Sequence, residues 1–184
     1  MFKKIDLWNG RCVIMEENLF VIEGEEDYQK GLLFLRGNVE TPVDIRKAFE
    51  YFNKAANVGH SEAKFQVGYL YLYGEPNILK NEKRAMQCLK SAADDGIGIA
   101  QFYCGIGYFC GNGIEKNVEV GIDYFKKSAK QGYYLAADFL AEIYLTGTEV
   151  EKDIDKAKMY NDQARVQGNQ NAEIRSIRIM VSPK

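Results

Sequence analysis

An all-α solenoid, a row of stacked helix hairpins, is the architecture this 184-residue chain points to. Two observations lead there. The stretch FQVGYLYLYG returns as FYCGIGYFCG and again as FLAEIYLTG, so one structural unit recurs along the chain. Between these copies the apolar residues follow a helical rather than an alternating period, and each copy closes on a glycine after polar residues. With 46% hydrophobic and 12% aromatic residues, the chain has enough apolar surface to bury a core, which argues against disorder.

Residues 1–24 stand outside the repeat. They carry apolar clusters at Ile5, Leu7 and Trp8, at Val13, Ile14 and Met15, and at Leu19 to Ile22, with a turn signal in WNGR between the first two. A pair of strands and a short capping helix both fit. We expect the segment to cover the N-terminal end of the array, because the first unit otherwise exposes an unmatched apolar face. Asp6, Asn9, Arg11, Glu16 and Glu17 interrupt the apolar core that a secretory signal requires.

Four units follow, at 25–60, 61–97, 98–133 and 134–169. In the first helix of each, helix A, small residues align at Gly31, Gly68, Gly105 and Ala141, spaced 37, 37 and 36 apart. Aromatics align at Phe34, Tyr71, Tyr108 and Tyr144, and closing glycines at Gly37, Gly74, Gly111 and Gly147. The second helix, B, runs through RKAFEYFNKAANVG, KRAMQCLKSAADDG, EVGIDYFKKSAKQG and DKAKMYNDQARVQG. There Ala48, Ala85, Gly121 and Ala157 align, and Gly59, Gly96, Gly132 and Gly168 close each copy. Ala48, Phe49, Phe52, Ala55 and Ala56 make the stripe of an amphipathic helix. Small pairs at Ala55 and Ala56, Ala92 and Ala93, Ser128 and Ala129 let helix B approach its neighbours closely. Residues 170–184 contain NAEIRSIRIMV, a fifth helix A that caps the array.

The order Ala-x4-Gly-x2-Tyr-x2-Gly, then a loop, then Ala-x6-Ala-Ala-x2-Gly resembles the Sel-1-like repeat, a relative of the tetratricopeptide repeats. AKFQVGYLYLYG and AQFYCGIGYFCGNGIEKN match its helix A, and KAFEYFNKAANVG its helix B. The loops EPNILKN and NVETPVD depart from the pattern, which expects a second glycine, and are expected to follow another path. The resemblance implies a right-handed α-solenoid that binds another protein or peptide on its concave face. By that analogy the groove is lined by Tyr28, Leu32 and Leu35; Phe65, Tyr69 and Leu72; Phe102, Ile106 and Phe109; and, turning acidic, Asp138, Glu142 and Leu145. Contiguous exposed apolar surface of this kind marks a partner site, and aromatics are favoured at hot spots. Asp138 and Glu142 would select basic groups. The competing reading is that these residues pack between neighbouring A helices.

Signals of chemistry are weak. GYFCGNGIEKN, residues 107–117, has glycines after a helix, whereas a phosphate loop needs strand, glycines, helix and a Lys-Ser/Thr step. His60, the single histidine, follows a closing glycine and reads as an exposed loop residue between units. Cys12, Cys88, Cys104 and Cys110 form no CxxC pair, so they are read as reduced, mostly buried thiols of a cytoplasmic protein, and no metal site is expected. Twenty-four Lys and Arg against 26 Asp and Glu leave no basic footprint for nucleic acid, and no stretch is apolar for long enough to span a membrane.

The expectation is therefore a monomeric, non-enzymatic, cofactor-free scaffold or adaptor that binds a partner protein. An immunity or inhibitor protein that neutralises a bacterial toxin or enzyme is the alternative. A second alternative, a β-lactam-binding hydrolase like some disulfide-rich secreted members of the family, loses its main support because the cysteines do not recur with the repeat.

Overall fold

The computed structural model describes residues 5–8, 11–14 and 23–181. Strands β1 (Ile5–Trp8) and β2 (Arg11–Ile14) pair antiparallel, with Ile5 opposite Ile14 and Trp8 opposite Arg11, which favours the strand option for this segment. Most of the expected cap at 1–24 lies outside the described residues.

Eight helices then alternate as A and B: α1 (Glu25–Arg36), α2 (Ile45–Asn57), α3 (Ser61–Tyr73), α4 (Glu82–Asp94), α5 (Gly98–Cys110), α6 (Val118–Lys130), α7 (Tyr134–Thr146) and α8 (Ile154–Val166). A last helix, α9 (Ala172–Met180), has no B partner among the described residues. Each A helix packs on its own B helix and each B helix on the next A, which is the connectivity of a solenoid.

Inside each of the first three hairpins a small residue on helix A receives a large one from helix B. Gly31 faces Phe52, Gly68 faces Leu89 and Gly105 faces Phe125, so closely that a Cβ would stand 2.5, 2.8 and 2.5 Å from the partner side chain. The aromatic column stacks outward on helix B, Phe34 on Tyr51, Tyr108 on Tyr124 and Tyr144 on Tyr160, with ring planes 6 to 9° apart. In the second unit Cys88 holds the corresponding place, and Tyr71 instead meets Phe49 edge-on.

The turn between A and B is closed in the same way each time. Asp44, Asn81, Asn117 and Asp153 cap helix B by accepting from the backbone N–H three residues on. Their own N–H groups donate to the carbonyls of Phe34, Tyr71, Tyr108 and Tyr144. As the sequence led us to expect, the first two loops take another path. Gly37 and Gly74 leave helix A with ψ of 170° and 159°, whereas Gly111 and Gly147 turn with ψ of 28° and 25°.

Between units, the N–H groups of His60, Ile97, Tyr133 and Asn169 bond back to Ala55, Ala92, Ser128 and Ala164 around left-handed glycines. This is a Schellman stop, and it steers the residue after the glycine inward. His60 is therefore a correction. It is only 5% exposed, because its Nδ1 accepts from Ala63 N–H as the N-cap of α3, its Nε2 lies 2.9 Å from Glu25, and its ring stacks on Tyr28.

Candidate protein-binding face

Successive A helices meet through one recurring contact: the residue in the Tyr28, Phe65, Phe102, Asp138 column touches the next unit one position past its own equivalent. Gln66 lies close enough to the Tyr28 hydroxyl to offset part of its burial, Phe65 meets Tyr103 at 6.0 Å, Phe102 meets Phe139 at 5.6 Å, and Asp138 pairs with Arg175 at 2.6 Å. Phe102 is 5% exposed, and Leu145 is likewise buried. Tyr28, Leu32, Leu35, Phe65, Leu72, Ile106 and Phe109 are half-buried against the core clusters of their units. Tyr69, in contrast, is 37% exposed.

Around Tyr69 the structure assembles a patch that the sequence reading only partly contained. The Tyr69 ring lies 4.7 Å from Tyr73 and 5.7 Å from Tyr103, and the Tyr73 and Tyr103 hydroxyls are 3.5 Å apart. Tyr103 leans on Phe102, which in turn holds Tyr133 and Phe139. Tyr73 is 57% exposed, and Tyr134 and Phe139 are exposed as well. Burial, together with the neighbouring hydroxyls of Tyr73, Tyr69 and Tyr133, pushes the Tyr103 phenol well above the usual tyrosine range, so it stays a neutral donor. Tyr73, Tyr103 and Phe139 were missed. The usable signal was the second aromatic in the pairs Phe102-Tyr103 and Tyr71-Leu72-Tyr73, since an A helix that packs one face still presents the next residue round.

Asp138 and Glu142 come together, but with partners from this chain. Arg175, 9% exposed, donates to Asp138, Glu142 and Asn161, and Arg178 binds both carboxylate oxygens of Glu142. Burial alone would raise the Glu142 carboxyl, yet the hydrogen bonds from Arg178 and Arg175 outweigh it and hold the group below its ordinary value. Asn161 stands in the column of Phe52, Leu89 and Phe125, and it donates to Ala172 O and Ser176 Oγ. The fourth unit has thus exchanged its apolar keystone for a polar clamp on α9.

Cys88, Cys104 and Cys110 are free thiols. Cys104 is buried, and that burial pushes its pKa up to about 12; Cys88 is half-buried and also raised; Cys110 is exposed, unlike the buried role expected of it. Among the described residues no three of His, Cys, Asp and Glu gather as metal ligands, and no helix is long and apolar enough to cross a membrane.

Stacked two-helix units with a surface of exposed aromatic side chains define an α-solenoid repeat protein. The Sel1 repeat pattern matches residues 28–60, 61–97, 98–133 and 135–164, and the chain belongs to the Sel1 repeat family, whose members generally mediate protein–protein interaction. It is similar to c5321, a protective antigen of uropathogenic Escherichia coli strains displaying an SLR fold, with 28% identity over 82% of this chain and 32% of that one, TM-score 0.75. A Sel1 repeat protein from Oxalobacter formigenes gives 28% identity over 81% of this chain and 60% of that one, TM-score 0.74. The chain thus spans less than two thirds of either. Helicobacter pylori cysteine rich protein B matches with 23% identity over 53% of this chain and 72% of that one, TM-score 0.49. No curated protein sequence matches the chain.

Proposed function

We propose that this chain is an adaptor that binds a partner protein on the aromatic face of α3, α5 and α7, the reading that the Sel1 family and the exposed rings support together. One observation carries it. Tyr69 and Tyr73 on the second unit and Tyr134 and Phe139 on the fourth remain exposed, and they are joined across the third by Tyr103 and Phe102, Tyr134 by way of Tyr133. Rigid aromatic side chains left in water at adjoining positions cost solubility and give binding energy when covered. Phe65 packs against Tyr69 and Tyr103, and Phe102 packs against Tyr103 from the same helix. Asp138 and Glu142 serve α9, so the face meets its partner through rings and hydroxyls rather than through an acidic end.

The test is affinity capture from the native source with the wild-type chain, a Tyr69→Ala/Tyr73→Ala variant and a Met159→Ala variant on α8. Specific partners should be lost from the double variant and kept by Met159→Ala, with melting temperatures of all three alike. Equal capture by wild type and the tyrosine variant sinks the assignment.

A further inference from the structure

We infer that Asn112 and Gly113 form a self-modifying site: the turn between α5 and α6 converts, without an enzyme, to aspartyl and isoaspartyl forms that loosen the third unit from α4. The inference stands apart from the adaptor reading.

An asparagine loses its amide when the nitrogen of the following residue attacks its side-chain carbonyl carbon. The attack is easy where that nitrogen is unshielded, its N–H is not already donated, and the asparagine side chain is free to turn. Asn112-Gly113 meets all of these conditions. Glycine has no Cβ to shield its nitrogen. Among the described residues nothing accepts from the Gly113 N–H and nothing bonds to the Asn112 side chain, which is exposed. The main chain of Asn112 is held by its N–H donating to Gly107 O at 3.0 Å.

Elsewhere the same reaction is blocked. Asn38, Asn81, Asn117, Asn161 and Asn169 spend their side chains in turns, caps and the α9 clamp, and each is followed by a residue with a side chain of its own. Asp95-Gly96 could close the same ring, but Gly96 N–H donates to Ala93 O at 3.0 Å, and the Asp95 carboxylate accepts from Ser61 and Lys64. The other Asn-Gly pair, Asn9-Gly10, lies outside the described residues.

At Asn112 the step balances with water as the one co-reactant. The Gly113 nitrogen bonds to Asn112 Cγ, closing a five-membered succinimide. The bond from Cγ to Nδ2 breaks, and that nitrogen leaves as ammonia with the proton that Gly113 gives up. Water then opens the ring at one carbonyl to give aspartate, or at the other to give isoaspartate, whose main chain runs through Cβ and Cγ. The isoaspartyl turn is thus one carbon longer, and the fold has no slack for it. Gly113 rests so close to the Glu82 carbonyl on α4 that even an added Cβ would clash. Four residues on, Asn117 caps α6, and its own N–H closes the turn on Tyr108 O at 2.8 Å. A longer main chain must give up the α4 contact or the cap.

Incubation of the full chain at body temperature and mildly alkaline pH, followed by mass mapping of tryptic peptides, tests this. Peptide 91–116 holds Asn112 as its single asparagine. Within days it should gain the mass of an amide-to-acid conversion, with fragment ions placing the change at Asn112 and isoaspartate as the major product. Conversion should be slower at mildly acidic pH, because the attacking nitrogen must lose its proton. Asn112→Gln, which would have to close a six-membered ring, should stay unconverted. Converted chain, separated by ion exchange on its added charge, should melt lower than Asn112→Gln aged beside it and exchange amide hydrogens faster in the first turns of α4 and α6. No conversion at Asn112, conversion no faster at alkaline pH, or equal conversion at the caps Asn81 and Asn117 overturns the site. Converted chain with unchanged melting and exchange overturns the loosening from α4.

Discussion

Replacing Gly105 by alanine isolates the contact that recurs in the first three hairpins. Alanine favours a helix interior over glycine by about 1 kcal/mol, so propensity alone predicts stabilisation. The added methyl, however, would lie 2.5 Å from Cδ1 and 2.6 Å from Cε1 of Phe125. That ring has little room to yield. It is fully buried and held by Phe102, Phe109 and Phe139 at 5.8, 6.2 and 5.5 Å. Overpacking of this kind costs about 1–3 kcal/mol. A ring confined on three sides belongs in the upper half of that range, about 2–3 kcal/mol, so with the propensity gain subtracted a net loss of about 1–2 kcal/mol is expected. At this chain length that lowers the melting temperature by roughly 2–4 °C per kcal/mol, readable by far-UV circular dichroism. A double-mutant cycle with Phe125→Leu ties the loss to the contact: the alanine penalty should shrink by about 0.5 kcal/mol or more once the ring is gone. A Gly105→Ala variant that melts at or above wild type would refute the reasoning, as would an equal penalty in both backgrounds.

Two further outcomes follow from the clamp on α9. Arg175→Met removes the donors to Asp138, Glu142 and Asn161. Breaking a fully buried pair costs about 3–5 kcal/mol; the partial exposure of both carboxylates brings the expected loss to about 1–3 kcal/mol. Hydrogen exchange should rise in α9 first, and unchanged protection there would count against the clamp. Acid should act on the same contact. Because the Glu142 pKa is lowered in the fold, its contribution is fully present above the unfolded carboxylate value of about 4.3 and fades as pH falls through the lower folded value. Limited proteolysis beyond Val166 should therefore increase below about pH 4 in the wild type, and Arg175→Met should flatten that dependence; identical profiles would contradict it.

How much of this was legible in the sequence depends on whether a residue's constraint repeats. Gly31, Gly68 and Gly105 could be aligned because each must admit a large residue from helix B, and the same demand recurs in the first three units. Phe102 was legible as part of a column that either lines a groove or packs between neighbouring A helices, and the second holds for it, since column members reach forward to the next unit's Tyr103 and Phe139 positions. That offset of one residue separates a stacking contact from an exposed one, and it moved the candidate face from Phe102 to Tyr103 and Tyr73. His60 was misread for a related reason: the Schellman bond to Ala55 turns its side chain into the junction, a consequence of backbone geometry that leaves no mark in composition. Asn161 is the opposite case. The sequence does place a polar residue in a column otherwise filled by Phe52, Leu89 and Phe125, but only the structure shows why: it has buried partners. The partners are α9 and its Arg175, so the change in that single column marks where the repeat stops making room for another hydrophobic hairpin and binds its last helix by hydrogen bonds and charge. With Asp138 and Glu142 taken up by that clamp, the exposed rings of Tyr69, Tyr73 and Phe139 are what distinguish the candidate face on α3, α5 and α7.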